Sequence, residues 1–252
     1  MKNLLVRILV VALFAAVFLS FKKPSWETKD YLSWTEKDCK EVLSTSPWVV
    51  KTEFSKSSTL GDSNSRMVNR ETGGTGGMQI PFDKKEIRTL FEFRVATAKP
   101  IKMAFTRLML LSDPSNQALK EQVQAMVDRT ESKIVFHITF STSPADKTVL
   151  KDLTDYFANA KLSDFQGNTY LQASPDSPVP IVDYWASSPQ RPNPAFVFPR
   201  TDASGKPFFS GQEEEVELCA VLTPTIKSKP EKYEVRVKVH PQLMKFRDQF
   251  EM

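Results

Sequence analysis

The sequence predicts an α+β fold rich in strand, mostly antiparallel sheet or sandwich, with about four helices. Residues 87–95 and 233–239 alternate apolar and polar side chains with period two, as strands with one wet face do. Between residues 34 and 160, apolar residues recur at helical spacing in stretches that each begin with a capping residue or a proline. The last third is cut by Pro and Gly into strand-length pieces. Strands and helices alternate in the middle of the chain, which leaves a doubly wound parallel sheet as the alternative for that section.

Residues 34–45, WTEKDCKEVLST, read as a short amphipathic helix. Thr35 can cap it, and Asp38 three residues on completes a capping box. Ser46-Pro47 ends it, because a residue before proline is pushed out of helical backbone. Trp48, Val49 and Val50 open a strand to about residue 55. Residues 56–80, rich in Ser, Gly, Asn and Thr, read as a flexible loop inserted between paired strands. A strand over 87–98 puts Ile87, Thr89, Phe91, Phe93 and Val95 on one face and Arg88, Glu92 and Arg94 on the other. Pro100, Pro114 and Pro144 each stand at the expected start of a helix, where a missing N–H costs nothing. A strand over 134–141 separates the last two. Further strands are expected at 168–173, 179–185, 195–199, 215–222 and 233–239, with 245–252 returning as a final strand.

The chain opens MKNLLVRILVVALFAAVFLSFKK. Lys2 and Arg7, an apolar run from Ile8 to Phe21, and Lys22-Lys23 have the layout of a bacterial export signal. Phe14 and Phe18 crowd the candidate cleavage sites, and the first cysteine, Cys39, is too distant for lipoprotein processing. Leu4 to Phe21 would span about 27 Å as helix against a ~30 Å hydrocarbon core. Cleavage and retention as an anchor therefore both stay open. Residues 1–23 are the signal or anchor, and 24–252 one β-rich domain, placed in the periplasm, the outer envelope or the medium, or held at the inner membrane by an uncleaved leader.

The leader also explains the charge. Its four cations are among 34 in the chain, so residues 24–252 carry 30 basic against 30 acidic residues. A near-neutral body with scattered Lys and Arg argues against nucleic-acid binding, which needs a basic patch. Cys39 and Cys219 could pair in an oxidising compartment. Yet Cys39 shares an apolar helix stripe with Val42 and Leu43, as a buried free thiol would.

No catalytic, cofactor or metal residue is assigned. Gly61-Asp62-Ser63-Asn64-Ser65 lacks the second glycine of a nucleophile elbow. The GGTGG at 73–77 is followed by neither the third glycine nor the Lys-Ser/Thr of a phosphate loop. Asp62 and Asn64 could begin a calcium loop, but Arg66 stands where an oxygen ligand belongs. His137, on a strand face with Val135 and Thr139, and His240, before Pro241, have no ligand spacing. Glu213, Glu214 and Glu215 alternate in direction and read as a solvated strand entry. Trp34 and Trp48 bracket a helix and read as its fastening to the sheet. Tyr184 and Trp185 are the candidate ligand platform, since aromatic faces stack on sugars.

Three phrases carry a resemblance: YLSWTEKDCKEVLSTSPWVVKTEF, FEFRVATAKPIKMAFTRL and AFVFPRTDASGKPFFSGQEEEVELCAVL. Together they resemble a family of uncharacterised exported bacterial proteins, mainly from Acidobacteria. That family has a WT-x-x-[DE]-A helix, an SPW motif, an I-R-x-A helix after a strand, and an F-P-R turn. This chain departs from it at Cys39, where Ala is usual, and at Thr97, where Ser is. The resemblance implies export and a shared fold, brings no catalytic residues, and makes Trp34, Pro47, Trp48 and Pro199 packing and turn positions.

The expected function is an exported, non-catalytic binding or structural module whose partner is an envelope protein or polymer. The alternative is an extracytoplasmic hydrolase with a carboxylate-based site. A carrier with an apolar pocket among the Phe residues is the third reading.

Overall fold

One carboxylate organises the start of the folded chain. The computed structural model describes residues 24–58, 85–173 and 177–252. A one-turn helix α1 (Ser25–Thr28) precedes α2 (Glu36–Thr45). The Thr35 hydroxyl accepts the Asp38 N–H at 3.2 Å, and the Asp38 carboxylate accepts the Thr35 N–H at 2.9 Å. This is the capping box read from the sequence. The same carboxylate accepts the Ser25 hydroxyl and lies 3.6 Å from the Lys29 ammonium, so it also ties α1 to α2. Behind them Trp26 packs edge-on against Trp34 and Trp48, with ring centroids 6.5 and 6.0 Å away. The Trp48 indole donates to the Glu251 carbonyl, which joins this end of the molecule to the last residues.

Two antiparallel sheets follow, and the fold is α+β. The first comprises β1 (Val49–Ser58), β2 (Lys85–Val95), β3 (Lys133–Ser143), β6 (Asp183–Trp185) and β7 (Ala195–Pro199), in the order β1-β2-β3-β7-β6. The second comprises β4 (Tyr170–Gln172), β5 (Pro178–Pro180), β8 (Val216–Leu222) and β11 (Tyr233–Val239), in the order β11-β8-β4-β5. Every strand pair is antiparallel, which removes the parallel alternative for the middle section. Period two sorts each sheet into an inner and an outer face. Phe91, Phe93 and Val95 of β2 register with Phe140, Ile138 and Phe136 of β3 on the inner face. Tyr233, Val235, Val237 and Val239 do the same across from Leu222, Ala220, Leu218 and Val216. The faces meet at Tyr233, whose ring lies 5.1 Å from Phe54 and 5.2 Å from Phe91. Burying an aromatic of this size is worth several kcal/mol, so this layer dominates the core.

Helices α3 (Lys99–Ser112), α4 (Gln117–Asp128) and α5 (Lys147–Asn159) complete the fold. The last places Phe157 against Phe140 and Phe91. Pro100 stands in the first turn of α3, as expected. The other two helices begin later than the prolines indicated. Asn116 caps α4 by accepting the Leu119 N–H, and Asp146 caps α5 by accepting those of Thr148 and Val149. A side-chain acceptor satisfies orphan N–H groups, whereas proline only lacks one.

Two expectations near the C-terminus are corrected. The single strand over 179–185 is two, and the halves belong to different sheets. The chain crosses at Ile181 and Val182, whose N–H groups bond Thr169 and Val197 respectively. The single return strand is a hairpin of β12 (Lys245–Phe246) and β13 (Gln249–Phe250), turned by Arg247 and Asp248 at φ 51° and 64°. Positive φ at both central residues matches the twist of a two-residue hairpin. The hairpin of β9 (Thr225–Ile226) and β10 (Lys229–Pro230) uses Lys227 and Ser228 in the same way.

Both cysteines are buried and unpaired, so the disulfide alternative falls. Residues 1–23 and most of the expected loop, with its Gly61–Ser65, Asp62/Asn64 and GGTGG segments, lie outside the described residues. Among the described residues no helix is long and apolar enough to cross a membrane.

Candidate functional site

Neighbours on a strand point to opposite faces, and this separates the expected platform pair. Tyr184 faces the core at 8% exposure, with its ring 4.6 Å from Phe165 and its hydroxyl donated to the Phe157 carbonyl at 2.5 Å. It is a packing residue, which corrects its place in the platform. Trp185 faces outward at the sheet edge. Val135, Ala195 and Val197 form a small apolar cluster with Trp185 packed against it. The Arg191 guanidinium lies over the indole, 4.9 Å from the ring centroid. The indole is thus occupied by the chain itself, and what it offers outward is a cation.

Arg191 is held from both ends. Ser188 and Arg191 exchange backbone hydrogen bonds of 2.7 and 3.0 Å, and the Ser188 hydroxyl accepts the Arg191 N–H at 3.1 Å. The indole orients the guanidinium by cation–π attraction, worth about 0.5–1 kcal/mol at an exposed site. Among the described residues no carboxylate pairs with it.

Register lays a row across the outer face of the sheet: Val49, Arg94, His137, Ala195, Trp185. Arg94 is committed to structure. Its Nε donates to the Leu43 carbonyl at 2.9 Å, its Nη2 bonds Glu92, and its guanidinium lies 5.6 Å from the Phe105 ring. Glu92 is shared with Lys51 at 3.1 Å. His137 has a buried Nδ1 with no hydrogen-bond partner among the described residues. Burial first, then the charges of Arg94 and Arg191, hold its imidazole down at about 4. It is neutral at pH 7 and a weak base there, so it suits recognition better than proton abstraction.

The outer face of the second sheet carries a concavity of about 230 Å³ lined by Tyr170, Cys219, Glu234 and Arg236 among others. Tyr170, Cys219 and Arg236 are register partners. Glu217 accepts from the Cys219 thiol at 3.2 Å and from Arg236 at 3.1 Å. Burial and the Glu217 carboxylate push the thiol up, so it stays protonated and a poor nucleophile. A shallow groove of about 280 Å³ lies between the turn at Tyr31–Ser33 and the α3–α4 hairpin, lined by Tyr31, Leu32, Arg107, Leu110 and Lys120 among others.

Other residues singled out in the sequence have structural roles. Trp34 and Trp48 are fully buried. The His240 Nδ1 lies 3.1 Å from the Glu214 carbonyl. Glu213 accepts from the backbone of Ser210 and Gly211, and Glu215 pairs with Lys238 at 2.8 Å. Among the described residues no three His, Cys, Asp or Glu converge to hold a metal ion.

Arg191 and Arg94 escape a reading of the sequence. Arg94 sits among ordinary outward charges of an alternating strand. Arg191 stands in a Pro-rich segment, and its nearness to Trp185 follows from a turn that no motif announces. No protein-family model, curated protein or solved structure matches this chain.

Proposed function

We propose that the chain is an exported cell-envelope protein that works by binding an envelope polymer, through the outer face of its five-stranded sheet. The leader pattern of residues 1–23, the near-neutral body behind it and the resemblance to exported bacterial proteins support the address. One observation carries the binding role: a guanidinium seated on Trp185 with no carboxylate partner among the described residues. Oriented guanidinium groups without internal partners are a usual means of recognising acidic groups. The test is fractionation of cells making the full chain, followed by incubation of the purified chain with envelope extract. The expected result is recovery outside the cytoplasm and retention of envelope polymer. Full-length chain in the soluble cytosolic fraction would overturn the address, and an empty pull-down the binding role.

A further inference from the structure

We propose that α4 is a lid: it leaves the body as a unit while the sheets stay folded, and so opens the groove between the turn at Tyr31–Ser33 and the α3–α4 hairpin.

The case begins with how little α4 buries. Of its twelve residues only Val123 and Val127 are buried, with Leu119 half-buried, whereas α3 buries six of fourteen. Even that small face is divided. Val127 belongs to the main core, but Val123 and Leu110 of α3, though both buried, stand apart from it. Polar ties are as sparse. Among the described residues one side-chain hydrogen bond joins α4 to an element outside the hairpin, from the Tyr31 hydroxyl to the Gln124 side-chain carbonyl at 2.7 Å. Its Asn116 cap and the Gln124–Asp128 bond are local and travel with the helix. Elements with few buried apolar contacts are the ones that open below the free energy of global unfolding.

The ends of α4 decide that the motion is a hinge. Just past its C-terminus the chain is pinned: the Lys102 ammonium donates to the Arg129 carbonyl at 2.5 Å, and the Arg200 Nε donates to the Glu131 carbonyl at 2.9 Å. Before it, the Asp113 N–H still bonds the Met109 carbonyl of α3 at 3.2 Å. Release is thereby confined to the segment between these points. Cooperativity follows from length, since a twelve-residue helix off its support is marginal in water and loses its hydrogen bonds together. The consequence falls on the groove. Lys120 and Gln124 of α4 form one of its walls, opposite Tyr31 and Leu32, with Arg107 and Leu110 supplied by α3. When that wall departs, the buried Tyr31 and Leu110 are uncovered, and a shallow groove of about 280 Å³ widens along α3. Its return closes the space again, which is the action of a lid.

Hydrogen exchange of the full chain in mild detergent, read by mass spectrometry on fragments covering α3, α4, β2 and β3, tests this. Amides across α4 should exchange together, at least about a hundredfold faster than those of β2 and β3. Val123→Ala should speed exchange in α4 by about tenfold and leave both strands unchanged. Leu32→Cys with Lys120→Cys, two positions lining one groove, should slow α4 by about tenfold or more once bridged by a short bis-maleimide, the native thiols being buried. Exchange graded inward from the ends of α4 would mean fraying, and protection equal to that of the strands would mean a fixed helix; either overturns the lid. So would a bridge that leaves α4 unchanged, or V123A speeding all fragments alike. If V123A does not fold, the unaltered and bridged chains decide. None of these readouts depends on envelope retention, so the lid and the envelope-binding reading fail separately.

Discussion

Replacing Asp38 by Asn removes a charge from the point where α1, α2 and the cap of α2 meet. The Asp38 side chain is 9% exposed and accepts the Ser25 hydroxyl, the Thr35 N–H at 2.9 Å and the Thr35 hydroxyl at 2.8 Å. Led by the Ser25 hydroxyl and then the Thr35 N–H, these bonds hold its carboxyl down at about 2. A carboxyl lowered by folding stabilises the native state above its unfolded value, and that contribution fades as pH falls towards the folded value. Lowering an aspartate from ~3.9 to about 2 corresponds to about 2.5 kcal/mol. The bond-by-bond estimate agrees: a cap is worth about 1 kcal/mol and a hydrogen bond to a charge about 1.5–3. Asn keeps one carbonyl acceptor, so Asp38→Asn should cost about 2 kcal/mol at pH 7. Urea unfolding followed by tryptophan fluorescence reads this directly, since Trp26 and Trp34 flank the site. The gap between the two proteins should be full at pH 7, narrow below about pH 4 and close towards pH 2. A gap that stays constant from pH 7 to pH 3, or none at pH 7, would refute the assignment of this stability to the ionised carboxylate.

Further outcomes follow from single contacts. Gly211 has φ 82°, and a Cβ there would lie 2.6 Å from the Phe250 ring, so Gly211→Ala should lower the urea midpoint by about 2 kcal/mol of stability. Tyr184→Phe leaves the Phe157 carbonyl without its side-chain donor and should cost about 1–2 kcal/mol, read by thermal unfolding. Cys39 is fully buried and its thiol is pushed up to about 11 by burial, so both thiols should react slowly with an aromatic disulfide reagent in the native protein. Both should titrate at once in urea without reductant, and a mass consistent with an internal disulfide would contradict the structure.

Much of the fold was legible because it rests on local chemistry. The capping box at Thr35 and Asp38, the proline in the first turn of α3, and the alternation at Tyr233–Val239 are each decided within a few residues. Errors came where two local signals competed or where pairing decided. Pro114 and Pro144 marked helix starts that Asn116 and Asp146 set instead. The apolar stretch at 179–185 read as one strand because Val179, Ile181 and Tyr184 all face a core that two sheets share. Only the partners of the Ile181 and Val182 N–H groups show the crossing. The step of three from Ile181 to Tyr184, against the strand's period of two, was the one readable sign.

The candidate site was half visible. An aromatic pair can be found in a sequence, but opposite faces of a strand separated Tyr184 from Trp185. What stands beside Trp185 came from a turn and from register: Arg191 folded back over the indole, and His137 and Arg94 set in line by three neighbouring strands. By itself the sequence determined fold class, capping and inward faces, because helix period, strand period and backbone donors act over one to four residues. The tertiary structure alone decided which outward charges are neutralised and which is left over, because a charge is compensated by whatever strand pairing brings within a few ångströms, however far away that partner lies along the chain.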